Sequence, residues 1–195
     1  MKTIKDNIRN EIIIKNSKFI TLVYYLKNEE DVSNIMSSIK DEYKNASHYC
    51  YAYIIDNVKR SNDDGEPTGT AGIPILNVLE KNNLTNILCI VVRYFGGIKL
   101  GAGGLIRAYG KAVRETLKLS TLVNINKCYM VTIIFDYDDL KEIDFIINKT
   151  IVVNKNFEEQ IKYTIMVKEN ELDIIERLKL FNATIKEIKE DYFLD

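Results

Sequence analysis

SNDDGEPTGTAGIPILNVLEKNNLTNILCIVVRYFGGIKLGAGGLIRAYGKAVRETLK, residues Ser61–Lys118, holds all nine glycines and both prolines of the 195-residue chain. Glycine is needed where φ is positive or where something approaches the main chain closely. Its concentration here marks a specialised surface set into an otherwise regular fold. Inside the stretch, Ile87–Val92 is a continuous apolar run, the pattern of a central strand covered on both faces. Ile73–Lys81 reads as a short helix with Pro74 in its first turn, where a missing N–H does no harm. Gly104–Leu119 reads as a longer helix. Asn57–Ala71 reads as a polar loop and Gly96–Gly104 as a glycine loop opening the second helix.

Outward from that centre, Glu11–Asn16 and Lys18–Leu26 are rich in Ile, Val, Tyr and Thr and read as a hairpin turning near Asn16–Ser17. Val32, Ile35, Met36, Ile39 and Tyr43 recur at helical spacing within Asp31–Tyr43. Tyr49–Ile55 reads as a strand. The order is β-β-α-β-loop-α-β-loop-α, an α+β or α/β layer fold, of which α+β is the expectation. A junction is expected near Thr121–Lys127, giving domains 1–126 and 127–195. Beyond it come strand Tyr129–Phe135, helix Asp138–Ile147, strands Ile151–Asn154 and Gln160–Lys168, helix Leu172–Phe181 and strand Ala183–Ile188. That β-α-β-β-α-β order matches a ferredoxin-like split βαβ sandwich.

The net charge of −1 hides an asymmetry: Met1–Lys127 carries 18 Lys/Arg against 13 Asp/Glu, and Cys128–Asp195 carries 9 against 15. A basic first part beside an acidic second part suggests two domains with different work. No apolar run approaches the ~20 residues of a membrane span, and the charges in MKTIKDNIRNEIII argue against a secretion signal. Cys50, Cys89 and Cys128 are odd in number, widely spaced and set in apolar runs, which suggests buried thiols in a reducing cytoplasm.

Arg93 and Lys99 lie on the glycine loop, and Arg107, Lys111, Arg114 and Lys118 follow at i, i+4, i+7 and i+11, along one side of a helix. Tyr94, Phe95 and Tyr109 add flat faces. Cations mixed with aromatics suit nucleic-acid backbone and unpaired bases, and a helix N-terminus behind Gly96, Gly97, Gly101, Gly103 and Gly104 suits phosphate or carboxylate. Neither the P-loop pattern nor G-x-G-x-x-G fits. Asp63-Asp64-Gly65-Glu66 is an acidic turn whose carboxylates have Arg93 or Lys99 as economical partners. His48, the only histidine, together with Asp64, Glu66, Thr68 and Thr70 and the glycine loop, completes a candidate binding cleft for a small phosphorylated or carboxylated ligand. An enzyme acting on such a ligand is the alternative to a binding protein. A Cys50–His48 nucleophile pair is conceivable, but apolar surroundings argue against an activated thiolate. The acidic turn could also hold Mg²⁺, but a basic partner is the more economical reading, and no metal or cofactor is expected.

DDGEPTGTAGIPIL and VVRYFGGIKLGAGGLIRAYGKAV, with NSKFI and SHYCYAY before them, closely resemble the signature of the IMPACT / YigZ family, over roughly Ile12–Val123. The resemblance implies a first domain folded like the second domain of a small-subunit ribosomal protein. It implies a second domain resembling the last domain of elongation factor G. The eukaryotic relatives are translational regulators that act by binding rather than by catalysis, and bacterial members have been proposed to bind nucleic acid or the ribosome. Together with the basic, glycine-rich cluster this leads to the expectation of a cytoplasmic, non-enzymatic regulator whose partners are RNA, the ribosome or a translation factor.

Overall fold

A computed structural model describes residues 1–195, which fall into two units, Met1–Asn124 and Ile125–Asp195. The first unit contains β1 (Lys2–Ile4), β2 (Ile8–Ile14), β3 (Ser17–Tyr25), α1 (Asp31–Glu42), β4 (His48–Ile55) and β5 (Val58–Asn62). It continues with α2 (Gly72–Lys81), β6 (Ile87–Tyr94) and α3 (Ala102–Leu117). Five of its strands form one antiparallel sheet in the order β2-β3-β6-β4-β5. Its last residues, Leu122–Asn124, pair with β1 as the opening of β7 (Leu122–Phe135).

The central strand β6 reads ILCIVVRY and is buried from Ile87 through Arg93. Strand side chains alternate between faces. Ile87, Cys89 and Val91 join the cluster formed with Ile75, Leu79, Leu105 and Val113 of α2 and α3. Leu88, Ile90 and Val92 pack with Val32 and Ile39 of α1. Helices thus cover both faces of an antiparallel sheet, and this explains the unbroken apolar run. Each fully buried aliphatic side chain there contributes about 2 kcal/mol.

The β2–β3 hairpin turns through Lys15 and Asn16, both with positive φ (44° and 63°). That is the two-residue turn whose twist matches the strands it joins. The loop expected over Asn57–Ala71 begins instead as an edge strand, β5, whose exposed VKRSN sequence lacks apolar alternation.

In the second unit, β7 from Ile125 onward is followed by α4 (Leu140–Ile146), β8 (Ile151–Phe157), β9 (Ile161–Lys168), α5 (Asp173–Leu180) and β10 (Thr184–Leu194). The antiparallel order is β8-β9-β7-β10. Ile143 and Ile146 of α4 and Ile174, Ile175 and Leu178 of α5 pack with Val131, Ile133, Tyr163 and Ile165 of the sheet. This is the ferredoxin-like arrangement. No helix is long and apolar enough to cross a membrane.

Candidate functional site

The loop after β5 is organised by Asp63. Its Oδ2 accepts from the amide of Gly69 (2.8 Å), and its Oδ1 accepts from those of Ala71 (3.0 Å) and Gly72 (2.8 Å), at the start of α2. Burial works to raise the Asp63 carboxyl, but the three amides outweigh it and hold the group below its ordinary value. Asp64 and Gly65 adopt left-handed conformations, with φ of 42° and 83°. They turn the chain so that the Asp64 carboxylate accepts from the Tyr49 amide at 2.7 Å. Thr70 is buried and donates to the Pro67 carbonyl at 2.6 Å, while Thr68 is exposed.

The third carboxylate of the cluster, Glu66, is paired inside the protein. Its Oε1 lies 2.5 Å from Nη1 of Arg93 and accepts from the Tyr109 hydroxyl at 2.8 Å. Arg93 was expected on the glycine loop. It is instead the penultimate residue of β6, and strand alternation turns it inward beside Val91. Only 5% of Arg93 and 8% of Glu66 are exposed. The guanidinium also donates to Ser17 Oγ at 3.3 Å and lies 5.4 Å from the Phe19 ring centre and 5.7 Å from that of Phe95. Its Nε has no hydrogen-bond partner.

Three further candidates prove to be scaffold rather than surface. Tyr109 is fully buried; burial, with Cys50 and Glu66 close by, pushes its phenol well above the ordinary range. Tyr94, one residue past Arg93, faces the opposite side of the sheet, where its hydroxyl donates to the Lys44 carbonyl at 3.2 Å. Gly96 is a close-packing position: a Cβ there would come within 2.1 Å of the Asn16 backbone. Its amide donates to Ser17 Oγ (3.2 Å), and that of Phe95 donates to Ser47 Oγ (3.0 Å), so neither faces a ligand.

His48 Nδ1–H donates to the Asp64 carbonyl (2.8 Å), which leaves Nε2 3.9 Å from the second oxygen of Glu66. The Cys50 thiol donates to the Asp63 carbonyl (2.9 Å) and lies 3.3 Å from the Tyr109 hydroxyl. Burial pushes this thiol up to about 12, against the lowering effect of its contact with Tyr109. A Cys50–His48 nucleophile would need a thiolate, and this environment disfavours one. No group of His, Cys, Asp and Glu side chains is placed to hold a metal ion.

What remains open to solvent is the glycine loop beyond Gly96 and the outer side of α3. Gly97 and Gly101 have φ of 82° and 70°, and a Cβ at either would meet no neighbour within 4 Å. Gly101 is the N-cap of α3 and offers no side-chain cap, so the first amides of the helix are unanswered there. Gly101, Ala102 and Gly103 are exposed and Gly104 half-buried. Lys99, Arg107, Lys111 and Arg114 are exposed and make no ion pair, whereas Lys118 pairs with Glu115 at 2.8 Å. A cleft of about 360 Å³ lies between Phe95 and the first turn of α3. Two residues organise this region in ways the sequence did not show: Asp63, expected to pair with Arg93 or Lys99, caps α2 instead, and the Ser17 hydroxyl receives both Arg93 and Gly96. Ser17 stands in the quoted NSKFI, but its burial at the start of β3 is visible only in the structure.

The model of the Impact N-terminal domain matches residues 15–117, which contain this whole region. IMPACT family member YvyE of Bacillus subtilis (strain 168) is 38% identical over 179 residues, spanning 87% of this chain and 80% of its own. IMPACT family member YigZ of Escherichia coli (strain K12) is 35% identical over 141 residues, 70% of this chain and 69% of its own. A crystal structure of a hypothetical protein superposes with a TM-score of 0.68 at 26% identity, covering 96% of this chain and 97% of the other.

Proposed function

Because the chain belongs to the IMPACT family, we propose that it is a non-enzymatic, cytoplasmic regulator of translation that binds RNA, in the ribosome or free, through the basic side of α3 and the glycine loop before it. The observation that carries this is the row of Arg107, Lys111 and Arg114. All three are exposed, without ion pairs and on one side of a 16-residue helix, and the exposed Lys99 adds a cation in the loop before it. Cations so arranged neutralise phosphates and release counterions, a mode of binding that needs no base contact. Translational regulation itself enters through family membership and the binding role of its eukaryotic members.

The engagement of the other groups favours binding over catalysis. Asp63, Asp64 and Glu66 are each committed to amides or to Arg93, His48 Nδ1 is held by a carbonyl, and the Cys50 thiol is raised by burial. The first test is co-sedimentation of the full chain with ribosomes. It is expected in the pellet at ~50 mM salt and released by ~300 mM, given the steep salt dependence of phosphate contacts. A protein absent from the pellet at low salt, or retained at high salt, contradicts the proposal.

A further inference from the structure

The cleft beside α3 differs in chemistry from the basic helix side. Its walls are Pro67, Phe95, Leu100 and Leu105, with Lys99 at the rim and the Glu66–Arg93 pair at one side. We propose that this cleft takes a single unpaired nucleotide. Its phosphodiester would meet the first amides of α3 and Lys99, and its base would lie against Phe95. The inference rests on the RNA-binding reading above and specifies the form of RNA.

Three observations lead there. The N-terminus of α3 presents unanswered N–H groups: the space at Gly101 is open, Ala102 is exposed, and beside Gly103 the nearest side-chain atom is Nη1 of Arg107, a further cation. Such a terminus attracts anions. Arg93 also lines the cleft as a fixed, 95% buried cation whose Nη groups are held by Glu66 and Ser17 and whose Nε is enclosed. Glu66 does not repel an anion outright, because Arg93 at 2.5 Å cancels its charge and Tyr109 binds the same oxygen. Lys99 then leaves the cleft one positive charge, which matches the single negative charge of a phosphodiester.

The third observation is the aromatic wall. Phe95 is 48% exposed at the cleft, and the Arg93 guanidinium lies 5.7 Å from its ring centre. Base–aromatic stacking tolerates any base and demands that the base be unpaired. A volume of about 360 Å³ suits one nucleotide and excludes a duplex.

The experiment uses the full chain, a single-stranded RNA decamer, a duplex of the same length and a free nucleoside monophosphate. Anisotropy follows the RNAs. Because the chain has no tryptophan, Phe95→Trp supplies a single indole, excited to the red of the tyrosines, whose quenching reports a stacked base. Single-stranded RNA is expected to bind at least ten-fold tighter than duplex. Phe95→Ala is expected to weaken it by about 5- to 150-fold without changing the salt slope, and Phe95→Trp to retain it. Lys99→Ala is expected to weaken it and to lower the slope. Duplex binding equal to single-strand binding, with no effect of Phe95→Ala, overturns the inference and leaves the RNA reading standing. Quenching of Phe95→Trp by mononucleotide without binding of either RNA supports the cleft with a free nucleotide as its occupant, and removes the RNA reading. No quenching and no RNA binding end both.

Discussion

Replacing Arg93 by methionine is expected to strike stability first, because it strands the Glu66 carboxylate in a site of which only 8% is exposed. Breaking a buried pair from one side costs about 3–5 kcal/mol, whereas removing both charges together is close to neutral. The geometry places this pair at the costly end: Oε1 of Glu66 has Arg93 at 2.5 Å and keeps only the Tyr109 hydroxyl once Arg93 is gone. The loss of the guanidinium between the Phe19 and Phe95 rings adds about 1 kcal/mol. Arg93→Met should therefore lower the melting temperature of the first unit by about 10–20 °C. Adding Glu66→Gln, which keeps an acceptor for Tyr109, should restore most of that loss, with a coupling energy of about 2–4 kcal/mol. The assay is urea unfolding with pulse alkylation read by mass spectrometry. Cys50 and Cys89 report the first unit, where both are buried in one cluster. A single substitution costing under about 1 kcal/mol, or a double variant no better than the sum of the singles, would refute the reasoning.

Gly96→Ala forces a Cβ to 2.1 Å from the Asn16 backbone and should cost about 3 kcal/mol. Gly97→Ala meets only its φ of 82° and should cost about 1 kcal/mol, so the two melting curves should separate clearly. The Asp63 carboxyl is held below its ordinary value, so its stabilisation is present above about pH 4 and is lost as pH falls through the lowered value. Asp63→Asn should therefore lower stability at neutral pH and make the acid limb of an unfolding titration shallower. An unchanged acid limb would count against the cap. With its thiol raised to about 12, native Cys50 should resist iodoacetamide at pH 8 and react at the ordinary rate in urea, as peptide mass mapping would show.

Much of the fold was legible because periodicity reports burial. Ile87–Val92 read as a doubly covered strand and is one, and the second unit carries the element order expected of it, whereas the first adds two strands, β1 and β5, to its expected order. The edge strand β5 escaped because VKRSN buries almost nothing, so its pairing leaves no hydrophobic trace. The site was half legible. The outer side of α3 is set by helical spacing alone, and Arg107, Lys111, Arg114 and Lys118 are exposed as the spacing requires. Arg93 and Tyr94 were misplaced because a cation and an aromatic beside a glycine loop look like surface. The alternation of ILCIVVRY already turned Arg93 to the side of Val91 and Tyr94 to that of Val92. An acidic turn as its partner was legible, and Glu66 supplies it. Gly96 was beyond reach, since only the fold brings the Asn16 turn against it.

The most direct measurement is the affinity of the full chain for single-stranded RNA across a salt series, for the wild type and for a variant with Arg107, Lys111 and Arg114 all changed to alanine. The wild type is expected to lose affinity steeply with salt, with a log–log slope near −3 for about four phosphates, and the variant to fall to a slope of about −1. A wild-type affinity indifferent to salt, or a slope unchanged by removing the three cations, would contradict a phosphate-binding role for this helix.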